Sequence, residues 1–147
     1  PEWPAMTAII DYWEKVGGQN MMPGTVTSPS RCVRANYFAH HVKPVDDPAL
    51  AVAITRSIVF NASVPYTYMI EGESNLSSTQ WRSYANLRDR RYYFDIVTNN
   101  GLYYIDLMHL DLYPGAPVLK LDTDRFADLA GCANSRLRRS EPFKPMY

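Results

Sequence analysis

An α+β fold, with helices packed on one face of an antiparallel sheet, is what this sequence predicts, and three observations predict it. In the first part of the chain apolar residues recur at three- and four-residue steps. In the second part bulky and polar residues alternate at period two, and the segments joining these alternating runs carry the turn chemistry of a meander. The 147 residues, 46% hydrophobic and 13% aromatic, fall in the range of an ordinary globular domain, and 1–147 is read as a single domain segment.

The elements follow in order. Met6, Ile9, Ile10, Trp13 and Val16 share one helical face, and Gly17-Gly18 ends that helix. After a Pro23-Gly24 turn, Ser28 at the N-cap and Pro29 at the first helical position announce a second helix running to about Val42, with Arg31 in its first turn. Asp47-Pro48 repeats the start signal. The segment Ala49 to Phe60 is apolar almost all round, as in a helix buried on more than one side. Beyond Pro65, Trp81, Ala85 and Leu87 alternate with Gln80, Arg82, Tyr84 and Asn86, which reads as a strand. Arg88-Asp89-Arg90 supplies a polar turn, Arg91 to Val97 a second strand, Asn99-Asn100-Gly101 a tight connection and Leu102 to Leu107 a third strand. Val118 to Leu121 is read as a fourth short strand, Asp124 to Leu129 as a short helix, and the arginine- and proline-bearing tail from Arg136 as irregular.

Both faces of the second strand carry bulky groups: Tyr92, Phe94 and Ile96 on one, Tyr93 and Val97 on the other. One helical layer covers one face, so a second layer is expected on the other. The chain begins Pro1-Glu2-Trp3-Pro4, without an initiator methionine or a basic and apolar leader, and is read as a processed, trimmed or excerpted product whose preceding portion supplies that layer.

Fifteen basic side chains balance fifteen acidic ones, so no overall field steers the molecule to nucleic acid or an anionic membrane. The apolar run Ala49 to Ile54 stops far short of the roughly 20 residues that span a bilayer. Trp81, Tyr92, Tyr93, Tyr103 and Tyr104 accompany no basic stripe and are read as sheet core rather than a base-stacking platform. Cys32 and Cys132 leave both one disulfide and two reduced thiols open. A Cys32–histidine dyad is excluded by spacing, because His40 and His41 lie eight and nine residues along the same helix, roughly 12 Å away at 1.5 Å per residue. Cys32 is therefore read as a small buried hydrophobe. Adjacent His40 and His41 point about 100° apart and His109 is remote, so no metal and no cofactor is expected. Asp46 with Asp47 and Asp122 with Asp124 are read as structural carboxylates at a cap and a helix start.

The ordered segments Pro23-Gly24, Ser28-Pro29-Ser30-Arg31-Cys32-Val33-Arg34-Ala35, Val64-Pro65-Tyr66, Thr79-Gln80-Trp81-Arg82 and Arg91-Tyr92-Tyr93-Phe94-Asp95 resemble a known family. It is the choloylglycine hydrolase and penicillin V acylase family. Ile105-Asp106-Leu107 and Leu110-Asp111-Leu112 continue the resemblance, which runs from about Pro1 to Asp122. Cys32 stands where the family usually has an aromatic residue, and Asn86 and Asp89 stand where Asp and Asn are more familiar.

The resemblance implies the αββα sandwich of the N-terminal-nucleophile hydrolases, with this chain as its C-terminal portion. It implies cleavage of a linear amide by an N-terminal cysteine, with that residue's own α-amino group as base. That cysteine would lie in the N-terminal portion of the same enzyme, since Pro1 is not cysteine. The family's substrates are small-molecule acyl amides: bile-salt conjugates, phenoxyacetyl penicillins or acyl-homoserine lactones. Its members commonly assemble as homo-oligomers. The one catalytic residue it assigns to this chain is Arg31, whose guanidinium would lie near the thiol, while Arg34, one turn along, is read as structural. The structural alternative for Arg31 is a pair with a carboxylate on a neighbouring element. The alternative for the whole chain is a catalytically inactive interaction or assembly module derived from the same fold.

Overall fold

A computed structural model describes residues 3–17, 22–72, 77–123 and 129–145. The chain divides into two compact units, Pro1–Thr79 and Gln80–Tyr147.

The first unit is helical. Helix α1 spans Trp3–Lys15, α2 spans Ser28–His41 and α3 spans Pro48–Asn61. Gly17, with φ of 99°, takes the left-handed conformation that closes α1, where a side chain would be strained; Gly18 lies outside the described residues. Ile10 and Trp13 of α1 meet Val33 and Tyr37 of α2 around one small crevice, and Val33 is buried there. The N-cap of α2 is Thr27, one residue before the serine the sequence suggested. Its extended backbone (φ −63°, ψ 152°) presents the carbonyl that accepts the first helical bond, from Arg31 N at 3.0 Å.

Asp47 caps α3 through its carboxylate, which accepts from Ala49 N at 2.8 Å and Leu50 N at 3.3 Å. Asp47→Ala is expected to lower stability by about 1 kcal/mol, seen as a small fall in Tm with unchanged far-ultraviolet circular dichroism. The expectation that α3 is buried on several sides is not met: none of its residues is buried, and Leu50 and Phe60 are exposed. Its partner within the unit is α2, and one neighbour covers one side of a helix that is apolar nearly all round. After α3, Val64 is fixed twice to Thr79: its amide donates to the threonine hydroxyl at 2.9 Å, and its carbonyl accepts from the threonine amide at 3.0 Å.

The second unit is built on the expected meander. Strands β1 (Trp81–Asn86), β2 (Arg91–Ile96) and β3 (Tyr103–Asp106) pair antiparallel in sequence order. Asn86 shapes the first turn, accepting from Asp89 N and donating to the Asp89 carboxylate, both at 3.0 Å. Asn99 shapes the second connection by accepting from Gly101 N at 2.7 Å. Glycine is required at 101 because a Cβ there would collide with the Leu129 carbonyl.

Register puts Trp81, Phe94 and Tyr103 on one face, their rings stacked in sequence at 5.3 and 6.1 Å. The other face is polar. Arg82 sits opposite Asp95 and grips it with two bonds, Nη2 to Oδ1 at 3.1 Å and Nε to Oδ2 at 3.3 Å, while the Tyr84 hydroxyl lies 3.4 Å from Oδ2. Asp95 is 1% exposed. Further along that face Asp106 meets Arg91 and His109. Burial opposes ionisation of Asp106, but the Met108 amide, the His109 ring and Arg91 outweigh it and hold its pKa below the ordinary carboxylate value.

Three features depart from the sequence reading. Two-residue β5 (Gly131–Cys132) joins the sheet parallel to β3, which makes the sheet mixed, order β1-β2-β3-β5. This segment has no alternation to betray it. Asn134 secures the connection that follows, bonding both the amide and the carbonyl of Asp106 at 2.9 and 2.8 Å. Leu129 and Ala133 thereby close over Tyr103 to make the buried core, with Phe94, Ile96, Ile105 and Leu121 against it. The fourth strand β4 (Leu119–Lys120) leaves the meander and pairs with β6 (Arg138–Arg139), inside the tail expected to be irregular; the Arg138–Asp122 ion pair sits beside this ribbon. The helix expected over 124–129 falls outside the described residues apart from Leu129. Among the described residues, three α-helices with a predominantly antiparallel sheet meet the α+β expectation.

Candidate active site

The turn that opens α2 gathers a cluster of hydroxyl groups. Thr25-Val26-Thr27-Ser28-Pro29-Ser30 places four hydroxyls within six residues. Thr25 Oγ1 lies 2.6 Å from Ser30 Oγ and 3.1 Å from Thr27 Oγ1, and Thr27 Oγ1 donates to Ser30 Oγ at 3.0 Å. Thr27 thus spends its hydroxyl on neighbouring hydroxyls rather than on a helix amide, and α2 has no side-chain N-cap bond. Sequence reasoning missed this cluster, although the run of hydroxyl residues ahead of Arg31 was its signal.

Arg31 projects from this turn. Nη2 donates to Ser28 Oγ at 3.3 Å, while Nε is enclosed and has no hydrogen-bond partner. Among the described residues no carboxylate lies in ion-pair contact with Arg31. The residue is half-buried, with Nε enclosed and the Nη2 bond to Ser28 at the surface. Leaving a buried donor unpaired costs about 1–3 kcal/mol. A charged donor kept at that cost is a common mark of a functional group.

Arg34, three residues on, has the opposite character. Its Nε donates to the Asn61 carbonyl at 2.7 Å, and its Nη1 to the carbonyls of Pro23 at 2.6 Å and Thr25 at 2.8 Å. Burial, and after it the nearby charge of Arg31, holds its pKa below the usual arginine value. These three bonds tie the loop before α2 to the end of α3.

The remaining candidates do not assemble into a second centre. Cys32 and Cys132 are both free thiols, and Cys32 is half-buried rather than fully enclosed. His40 and His41 face their own helix, each Nδ1 lying 2.9 and 2.7 Å from the carbonyls of Asn36 and Tyr37. Among the described residues no three of His, Cys, Asp and Glu are grouped to hold a metal ion. Among the described residues no helix is long and apolar enough to cross a membrane.

Comparison with known proteins adds to this geometry. The chain is 27% identical over 98% of its length to a penicillin V acylase of Pectobacterium atrosepticum, of which it spans 42%. The solved penicillin V acylase of Agrobacterium tumefaciens superposes with a TM-score of 0.87 at 32% identity, over 99% of this chain and 47% of that one. A mutant of conjugated bile acid hydrolase from Clostridium perfringens matches at TM-score 0.58 and 18% identity, over 76% of this chain and 40% of that one, a likeness of fold. The chain therefore spans less than half the length of the proteins it matches. The N-terminal-nucleophile hydrolase fold that the resemblance implied stands with these matches. Residues 7–128, which include the α2 turn, α3 and the whole meander, match the model of the linear amide C-N hydrolases, choloylglycine hydrolase family, and the chain belongs to that family.

Proposed function

We propose that this chain is the C-terminal part of a linear amide hydrolase whose nucleophile is a cysteine thiol at the mature N-terminus of the polypeptide preceding it, with Arg31 beside that thiol. The observation that carries the proposal is the Arg31 guanidinium, with an enclosed Nε and no carboxylate partner among the described residues, in a chain of this family. An α-amino group with a pKa of about 7.7–8.0 can take the proton of a thiol near 8.5. The sulfur adds to the amide carbonyl, the amine departs with the transferred proton, and water then releases the acyl group from the thioester. A fixed positive charge beside the sulfur favours thiolate and offsets the negative charge that grows during attack.

The chain alone would be inactive, and its first partner would be the N-terminal portion of the same enzyme. The uncovered apolar side of α3, with Leu50 and Phe60 exposed, supports further polypeptide packing there, from that portion or from a second copy in a homo-oligomer. The substrates of the relatives suggest the first probes: penicillin V, after the acylases, and conjugated bile acids, after the hydrolase. Mass spectrometry of the complete mature protein should find cysteine as its first residue, and its replacement by serine should abolish release of the acyl group. A mature protein without that cysteine, inert to both probes, would refute the proposal and leave a binding or assembly module.

A further inference from the structure

We propose that Arg34 is a positioning residue for Arg31. The inference rests on the reading of Arg31 as the group beside the reacting thiol. One guanidinium joins three pieces of chain: the loop entering α2, through the carbonyls of Pro23 and Thr25; α2 itself; and the end of α3, through the carbonyl of Asn61. Asn61 is the last residue of α3, so its carbonyl is one of those left without an intrahelical donor, and a cation there also meets the negative end of the helix.

The loop held by Arg34 is the one that holds the first turn of α2. Thr25, fixed by its carbonyl, bonds Ser30 and Thr27 through its hydroxyl. Those residues bracket Ser28, whose Oγ accepts from Arg31 Nη2. Hydrogen bonds, joined by the covalent chain through Thr25 and from Thr27 to Ser30, thus link the Arg34 fork to the turn that carries the Arg31 guanidinium. The charges repel as well: Arg31 contributes to the lowered pKa of Arg34, after burial. Arg34 is tied down by three carbonyls, so the repulsion bears on Arg31, which has one long bond to a hydroxyl. The planar fork suits this task; a lysine keeps the charge but concentrates its donors at one point.

The test is Arg34→Lys in the complete protein, with Arg31→Ala alongside. It reads iodoacetamide alkylation of the N-terminal thiol against pH, together with kcat and KM for penicillin V. Circular dichroism and Tm report folding. The expected result is a folded Arg34→Lys protein with kcat lower by about tenfold, short of the hundredfold that an ångström of misplacement can cost, with KM little changed and the thiol titrating at higher pH. A merely structural arginine would alter Tm and leave kcat and the thiol titration at wild-type values. That result, with Arg31→Ala impaired, would overturn the positioning role and leave the reading of Arg31 intact. If Arg31→Ala also matches wild type, the proposed function fails and the positioning role with it. Should Arg34→Lys not fold, the double variant Thr25→Ala/Ser30→Ala cuts the hydroxyl link without touching the carbonyl bonds. The same upward movement of the thiol titration is expected from it, and an unmoved titration would overturn the proposal.

Discussion

Arg31→Ala in the complete protein is expected to lower the turnover of an acyl amide by about 10²–10³-fold, the range found when one preorganised stabilising donor is removed from an active site. Fold stability should hardly suffer. Among the described residues the side chain makes one hydrogen bond, at 3.3 Å to Ser28, carries an enclosed Nε without a partner and joins no ion pair, so its removal relieves a desolvated donor. High activity loss with little change in Tm separates Arg31 from Arg34, where three carbonyls lose their donor on substitution by alanine. Turnover should fall further for Arg31→Ala than for Arg34→Ala, and Tm should fall further for Arg34→Ala. Equal and small effects on turnover would mean that neither arginine lies near the thiol.

The largest expected loss of stability is at the other end of the chain, in Asp95→Ala. Asp95 is buried at 1% exposure and held by both arms of Arg82, whose side chain is 9% exposed. Removing the carboxylate leaves a guanidinium in a site from which water is largely excluded, and breaking a buried pair in this way costs about 3–5 kcal/mol. At about 2–4 °C per kcal/mol for a protein of this size, Tm should fall by about 6–20 °C. Arg82→Met/Asp95→Ala should recover part of the loss, because the double variant strands no charge. A single variant that melts with the wild type would show that the pair does not hold β1 to β2.

What could be read from the sequence was what nearby residues decide. The described helices follow from apolar spacing and from the start signals Ser28-Pro29, where the cap proves to be Thr27 one residue earlier, and Asp47-Pro48. The meander follows from alternation and from the turn residues Arg88-Asp89-Arg90 and Asn99-Asn100-Gly101, while the part Asn86 plays in the first turn emerged from the structure. What depends on distant segments was not legible. Gly131–Cys132 is a strand because β3 offers it an edge and Asn134 mimics backbone to fix Asp106. Leu119–Lys120 pairs with Arg138–Arg139 across a long excursion that no local pattern announces.

The covered and uncovered sides of α3 likewise depend on what packs there, and composition reports only that α3 is apolar. The site was legible in the same uneven way. The run from Ser28 to Ala35 marked Arg31, but residue type alone could not separate a catalytic arginine from a paired one. The difference lies in partners: carbonyls 9, 11 and 27 residues away for Arg34, and a single serine hydroxyl for Arg31.

The most direct measurement is the rate at which iodoacetamide alkylates the N-terminal cysteine of the complete protein, followed across pH in the wild type and in Arg31→Gln. A guanidinium beside the sulfur should hold the thiol acidic, so the variant's titration should lie about one pH unit or more above the wild type's. Two superimposable titrations would contradict the placement of Arg31 beside the nucleophile.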